Sequence, residues 1–306
     1  MLQRLLPFLT LAALFIGLCV ASPHFLTGTN LSSVVRQTAV INIMALGMTM
    51  IIICGGIDLS VGSILAMGGL LGAMAMEKGW PVSVGVAVGV LAGMLCGWVN
   101  GFLTTRLRIN PFIVTLGTLG IIRGLALIIS NGLPVHQLPK SFAYLGEGTV
   151  LRVPFVLFVL IACAVIVHVI LEHTKLGRYA FAIGSNQEAA LYAGVNIGLV
   201  TVAIYTLGGM LTGLAGMIEA SRLMTGQPTA GQGYELQAIA AVVIGGGSLR
   251  GGEGTVVGTL VGALIMGLLA NGSDLLGISP YLQQAIIGAV IILAVAIDEL
   301  RKRRLG

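Results

Sequence analysis

Long runs without a single charged side chain organise this chain, and they restrict its fold more than any motif does. Uncharged stretches extend from Leu5 to Val35, Gln37 to Ile57, Gly79 to Thr105, Val153 to Leu171, Ala189 to Ile218, Gly254 to Ser273 and Leu275 to Ile297. Each is long enough for the roughly 20 residues that cross a bilayer as helix. The composition agrees, with 57% of residues hydrophobic and 9% charged, against roughly 25% charged in soluble domains. Lipid is the solvent for such a chain, so the expected fold is an all-α integral membrane protein, one transmembrane domain over residues 1–306.

Ten crossings fit best, at about 5–21, 37–54, 60–77, 82–103, 111–130, 154–172, 198–219, 235–247, 255–272 and 281–298. Lys and Arg in short loops favour the cytoplasm. With both termini inside, ten of the 16 fall on that side: Arg4, Arg106, Arg108, Lys175, Arg178, Arg250, Arg301, Lys302, Arg303 and Arg304. Segment 173–196 and the basic tail 299–306 are then cytoplasmic. Asn131 to Arg152 and Ser221 to Tyr234 become external segments that either receive a soluble partner or merely connect spans. The net charge of +5 follows from this bias and a basic tail near anionic lipid, and requires no nucleic acid. Arg4, an apolar run and Cys19-Val20-Ala21-Ser22 imitate a secretory signal, but with so many further spans a retained first helix is expected.

Glycine is the second signal: 45 of 306 residues, about 15%, where roughly 7% is ordinary. Lipid tails give helices little reason to associate, so close van der Waals contact at small residues must supply it. Gly85 to Gly101 and Gly208 to Gly216 therefore read as packed bundle helices. Cys19, Cys54, Cys96 and Cys163 lie in apolar stretches without metal or disulfide spacing and read as small packing residues.

Two glycine-rich breaks interrupt apolar sequence in the same way. One is GGIDLSVG, containing Gly55, Gly56, Asp58, Ser60 and Gly62; the other is GGGSLRGGEG, at residues 245–254. Such weak internal symmetry suggests a duplicated transporter core. If crossings two to five and seven to ten are its halves, their offset of five makes them inverted, although the two breaks then fall at unequal places. Asp58 is the one acid between Arg36 and Glu77, and an ionised carboxylate at membrane depth is costly unless it faces protein or water. It reads as a cap on a helix restarting at Leu59, with Ser60 and Ser63 bonding in the first turn. A pathway or gate element, a direct substrate or proton ligand, and a short polar turn at the cytoplasmic surface are the alternatives.

The second constellation is His173 to Val195. Ser185-Asn186-Gln187-Glu188 has the S-x-x-E form of a capping box, Ala189, Ala190, Leu191 and Tyr192 continue a helix, and Gly194 suits a left-handed end. A weakly charged helix in water suits a groove on another protein, or a connector lying on the membrane. No G-x-x-x-x-G-K-[ST] is present, so the chain has no phosphate loop of its own. No nucleophile–base pair or metal cluster is apparent: the expected inventory is no catalytic residue, no metal and no bound cofactor.

GIDLSVGS (Gly56 to Ser63), TKLGRYAFAIGSNQEAALYAGV (Thr174 to Val195) and QPTAGQGYELQAIAAVVIGGGSLRGGEGTVVGTLVGALIMG (Gln227 to Gly267) closely resemble the permease subunit of ribose-type ABC sugar importers. The resemblance implies a ten-span permease of the bacterial inner membrane with both ends cytoplasmic. It implies three partners: a second permease subunit, a cytoplasmic ATPase that uses ATP and Mg, and a periplasmic sugar-binding protein. It also implies that Gly184, Ser185, Asn186, Glu188, Ala189, Ala190, Tyr192 and Gly194 form the helix that couples to the ATPase. For an uncharged sugar, hydroxyl and amide groups suit the path, giving Asn42, Thr49, Asn110, Thr115 and Gln237 as candidates, with Phe112 as an apolar gate. The rival class is a self-sufficient secondary transporter that uses Asp58 for ion or proton coupling.

Overall fold

The computed structural model of the chain describes residues 2–303. Met1 and residues 304–306, with Arg304 of the basic tail, lie outside them, as do the side chains of Arg4, Arg301, Lys302 and Arg303. The helices are α1 (Leu2–Ala21), α2 (Gly28–Ile53), α3 (Val61–Glu77), α4 (Val82–Arg106) and α5 (Pro111–Ile129), then α6 (Tyr144–Glu147), α7 (Phe155–His173), α8 (Lys175–Ser185) and α9 (Gln187–Tyr192). They continue as α10 (Ile197–Leu223), α11 (Tyr234–Ile244), α12 (Val256–Leu275) and α13 (Pro280–Arg303). A two-stranded hairpin, β1 (Thr149–Val150) and β2 (Val153–Pro154), follows α6. Among the described residues six helices are long and apolar enough to cross a membrane: α2, α4, α5, α7, α10 and α12. Leu5–Ala21, α3 and α11 are shorter apolar helices.

Helix α10 is the centre of the bundle, and glycine is what brings its neighbours close. The buried positions of α4 are Gly85, Gly89, Gly93, Gly97, Asn100 and Gly101, a stripe about one turn apart, while Leu91, Leu95 and Trp98 face outward. A β-carbon on Gly93 would strike the main chain of Gly209 and Gly213; one on Gly97 would strike the Tyr205 carbonyl. The two glycine segments marked out in the sequence thus pack on each other, antiparallel, as small-residue interfaces do in lipid. Helix α3 runs the same way as α10, with Gly68 against Gly213 and Gly69 against Gly216. Helix α2 runs opposite to it, meeting Gly208 at Gly47, and is buried from Thr38 to Ile53.

The remaining helices close around this group. Helices α11 and α12 form a hairpin through Gly245, Gly258 and Gly262. Where α2 starts and α12 ends, Asn30 and Asn271 exchange amide hydrogen bonds of 3.1 and 2.8 Å. Helix α1 packs its Leu18 on Gly272 of α12, so it is part of the bundle.

The expected crossing 235–247 is different from the others. Helix α11 has only 11 residues, about 16 Å at 1.5 Å per residue, roughly half a hydrocarbon core of about 30 Å. The preceding residues 224–233 are non-helical chain, mostly turns, that returns along α3, with Gly226 against Ala73 and Gly231 against Gly62 and Leu65. Ser221 to Tyr234 is therefore not a free connecting loop: its start belongs to α10, and Gly226 and Gly231 lie against α3. The facing glycines permit that approach. Arg123 of α5 fixes the segment by donating to the Pro228 and Ala230 carbonyls at 2.6 and 2.8 Å.

Asn131 to Arg152 does form a folded cap at that end of the bundle. Val135 bridges Gly226, Ser221 Oγ donates to the Phe142 carbonyl at 2.5 Å, and Arg36 pairs with Glu147 at 3.0 Å. At the β1–β2 turn Leu151 and Arg152 both adopt left-handed backbone, with φ of 50° and 67°, and Leu151 is 92% exposed.

Candidate functional site

At the opposite end of the bundle the two breaks and the α8–α9 segment come together. Gly55 stops α2 by taking φ +83°, so that its N–H reaches the Ile52 carbonyl and the Gly56 N–H reaches the Ile51 carbonyl, both at 2.9 Å. This is a Schellman end, which satisfies carbonyls that a helix terminus would leave bare. Gly56 has no room for a side chain because the Tyr205 ring lies over it, its hydroxyl 2.5 Å from where a β-carbon would be. The freed Ile57 carbonyl accepts from Thr115 Oγ1 of α5 at 3.1 Å and Tyr205 Oη of α10 at 3.2 Å. Irregular backbone is tolerated at membrane depth only when paired within the protein in this way.

Asp58 is fully buried. One carboxylate oxygen accepts from Ser60 N at 2.8 Å and Ser60 Oγ at 2.6 Å, the other from Asn100 Nδ2 of α4 at 3.2 Å. Asn100 also donates to Ser60 Oγ at 2.8 Å. Asn100 lies six residues inside the end of α4 and Tyr205 eight residues inside the start of α10, about 9 and 12 Å of helix. The carboxylate is thus well inside the helix ends, not on a solvated turn. The first-turn capping expected of it is not what forms. Helix α3 starts at Val61 rather than Leu59, Ser60 makes no side-chain cap, and Ser63 donates to the Leu119 carbonyl of α5. The cause is local: Asp58 captures both donors of Ser60 in an Asx turn, closing the break on itself. Gly62 follows, pressed against the Gly231 carbonyl and Glu235 Oε2.

The second break stops its helix identically. Gly246 takes φ +92°, and the N–H groups of Gly246 and Gly247 reach the carbonyls of Val243 and Val242 at 2.9 and 2.8 Å. Its restart differs. Ser248 N bonds the Glu253 carbonyl, Gly251 N bonds the Ser248 carbonyl, and Thr255 caps α12 by accepting from Gly258 N at 3.0 Å. Backbone and hydroxyl groups do here what a carboxylate does in the first break.

Gly184, near the end of α8, joins the two. The Gly252 N–H donates to the Ile53 carbonyl at 2.9 Å, and a β-carbon on Gly184 would collide with that carbonyl and lie 2.5 Å from Gly252 N. Gly251, at φ +89°, places its own prospective β-carbon 2.9 Å from Gly184 and from Gly55. Three separate segments therefore touch main chain to main chain.

The segment holding Gly184 is two helices. Helix α8, with Gly177, Ala180 and Ile183 buried one turn apart, has no counterpart in the sequence reading, which began a single helix at Ser185. Ser185 closes α8, and the N-cap of α9 is Asn186, whose Oδ1 accepts from Ala189 N at 2.9 Å. The capping box expected between Ser185 and Glu188 does not form: Ser185 ends the preceding helix, the cap moves to Asn186, and Ala189 has no polar side chain to return its bond. Gly194, at φ +81°, also ends α9 in a Schellman motif, with Val195 N on the Ala190 carbonyl. Ala190 is buried, while Glu188, Ala189, Leu191 and Tyr192 are exposed, Tyr192 by 87%.

The six path candidates do not meet in one passage. Asn42 faces a lateral groove between α2, α7 and α12. Thr49 is buried and shares a 2.6 Å bond with Thr259 Oγ1. Thr115 braces the first break, and Gln237 is half-buried on α11. Asn110 caps α5 by accepting from Phe112 N, and Phe112 is half-exposed beside it. Asn110 also lines a cleft of about 650 Å³ with Gly55, Gly56, Thr104, Arg108 and Thr201. Asn100, Tyr205 and Arg123 escaped the sequence reading; Arg123 is the one charged residue of α5, and Asn100 continues the Gly93 and Gly97 stripe.

The chain matches, over residues 30–295, the family described as the permease component of the branched-chain amino acid transport system. It is 46% identical over 299 residues to the ribose import permease protein of Bacillus subtilis (strain 168), covering 97% of this chain and 93% of that protein. It is 42% identical over 281 residues to the ribose import permease protein of Escherichia coli (strain K12), covering 90% and 88%. With the L-arabinose transport system permease protein of the same strain it shares 39% over 292 residues, covering 95% and 89%. No solved structure matches it.

Proposed function

This chain belongs to the branched-chain amino acid transport permease family, and on that footing we propose that it is the membrane-spanning subunit of an ATP-driven importer of an uncharged monosaccharide such as a pentose. The observation that carries the mechanism is the junction at Gly184. Helix α9 offers Glu188, Leu191 and Tyr192 to a cytoplasmic ATPase, and the end of α8 rests on both helix breaks. A displacement of α8–α9 by the ATPase is thereby delivered to the ends of α2 and α11, and through Asp58 and Tyr205 to α4, α5 and α10. ATP and Mg belong to that partner. Asp58 positions the break in this reading; buried and bonded to three donors, it carries no cargo.

The chain crosses the inner membrane of a bacterium ten times, counting α1, α2, α3, α4, α5, α7, α10, α11, α12 and α13, with both termini cytoplasmic and 1–306 as one domain. The alternating directions of α2, α3, α4 and α10 support this count, and they give α2–α5 and α10–α13 opposite senses. A periplasmic sugar-binding protein docks on the cap at 131–152, whose apex is the exposed Leu151 on a left-handed turn that favours glycine. A second permease copy lies along α5, where Gly117, Gly120 and Gly124 have no neighbour within 4 Å, so that Asn110 and Phe112 border the path between copies.

Reconstitution tests this reading. With ATPase and binding protein in liposomes, Glu188→Lys is expected to leave the permease inserted while abolishing binding-protein-stimulated ATP hydrolysis; unchanged stimulation removes α9 from the ATPase contact. Uptake by this chain alone, driven by a proton gradient, would establish a secondary transporter instead.

A further inference from the structure

Residues 224–233 run inside the bundle, yet one side of them is open. Gly226 sits on Gly69 and Leu70, and Gly231 on Gly62 and Leu65. The chain between them therefore descends beside eight residues of α3, about 12 Å of helix. Arg123, whose guanidinium holds the Pro228 and Ala230 carbonyls, lies twelve residues from the start of α5 and six from its end, about 18 and 9 Å. Both measures put these turns at the depth of the hydrocarbon core. Gln227, Thr229 and Gln232 are nevertheless exposed there, alternating with the buried Pro228 and Gly231.

Lipid is the wrong neighbour for them. Non-helical chain is found at such depth only where it is buried in protein or borders water, because hydrocarbon pairs with no donor or acceptor. The rest of the exposed mid-helix surface obeys this rule: Leu91, Leu95 and Trp98 on α4, and Leu116, Ile121 and Leu125 on α5 beside the turns. Among the three polar side chains one bond forms, from Gln227 Nε2 to Thr229 Oγ1 at 3.2 Å. It leaves the Thr229 hydroxyl proton, the Gln227 side-chain carbonyl and the Gln232 amide to outside partners. Amides and hydroxyls that both donate and accept match the hydroxyls of a neutral sugar, whereas an ion would call for opposite charge.

We propose that Gln227, Thr229 and Gln232 line the aqueous passage through the membrane and hydrogen-bond the sugar as it crosses. The cargo follows from the import reading, whereas the aqueous face follows from depth and exposure alone.

Both are tested in liposomes carrying the chain with its ATPase and binding protein. A charged, membrane-impermeant methanethiosulfonate, present on both sides, is expected to modify Thr229→Cys and Gln232→Cys above the background of the unmodified protein and to block uptake. Leu95→Cys, exposed on α4, should stay unmodified. Gln232→Leu is expected to lower the sugar moved per ATP hydrolysed about fivefold, the worth of one net hydrogen bond, and Gln232→Asn to recover part of it. Thiols at 229 and 232 no more reactive than at 95 would mean that lipid or a second copy seals this face, and overturns the proposal. An unchanged ratio of sugar to ATP in Gln232→Leu overturns the sugar contact. An unmodified complex that moves no sugar removes the import reading and the cargo with it; the thiol pattern then decides the aqueous face by itself.

Discussion

The two helix breaks end their helices with the same three-residue device and then part ways. Cys54-Gly55-Gly56 and Gly245-Gly246-Gly247 both close a Schellman motif. After it, the first break turns inward onto Asp58, Ser60, Asn100, Thr115 and Tyr205, a set drawn from three helices and the α2–α3 connection. The second loops back on its own backbone, with Gly251 and Gly252 in left-handed conformation and Thr255 restarting the helix. A glycine pair thus fixes where a membrane helix stops, and the following residues decide whether the stop is tied to the rest of the bundle. Only the first break can report movement of α8 to α4, α5 and α10 directly.

Substitutions at the point the breaks share should have the largest effect. Gly184→Leu drives a side chain into the Ile53 carbonyl and the Gly252 N–H, separating both breaks from α8. Stimulated ATP hydrolysis and uptake are expected to fall at least about tenfold, within the range of ordinary coupling free energies. Retained coupling in correctly inserted protein would dissolve the junction. Asp58→Ala comes next, because it removes the acceptor of Ser60 N and of the Ser60 hydroxyl proton in a dry interior and leaves Asn100 Nδ2 with Ser60 Oγ alone. About 1–3 kcal/mol of stability should be lost for each donor left unpaired, read by thermal unfolding in detergent. Asp58→Asn discriminates between roles: a proton carrier would lose uptake at full stability, whereas a bracket loses the two together.

The second break should respond more mildly. Gly251→Ala meets a strained φ and a close main-chain neighbour, for a cost of about 1–2 kcal/mol, and α4 and α5 should keep their hydrogen-exchange protection. A loss of protection there equal to that in Asp58→Ala would erase the distinction between the breaks. Thr115→Val is the smallest test. It removes one of two donors to the Ile57 carbonyl while Tyr205 remains, so about 1 kcal/mol is expected, with Thr115→Ser restoring it.

Residues adjacent in sequence were legible as such. GGIDLS announces a broken helix because an acid and paired glycines stand out in apolar surroundings, and the Gly85 to Gly101 spacing announces a packing face. The distant partners of the first break were not legible, since Asn100 lies 42 positions from Asp58 and Tyr205 148 positions from Ile57, and nothing local ties them together. Helix α8 was legible in principle, since Gly177, Ala180 and Ile183 repeat once a turn opposite Lys175 and Arg178, but two glycines and two charges in 11 residues disguise that face as a loop. The length of α11 was hidden for a different reason. Residues 224–233 are too rich in glycine, proline and threonine to read as membrane-embedded, and they are accommodated only because Gly62 lies opposite Gly231.

The contact between α4 and α10 has one further consequence. Main chains that touch have no rotamers to exchange, so Gly93 against Gly209 and Gly97 against Tyr205 admit one spacing and no graded series around it. The pair can neither swell to take up strain nor slide without lifting apart. Whatever rearranges in this molecule must turn about those two helices as a wheel turns about its axle.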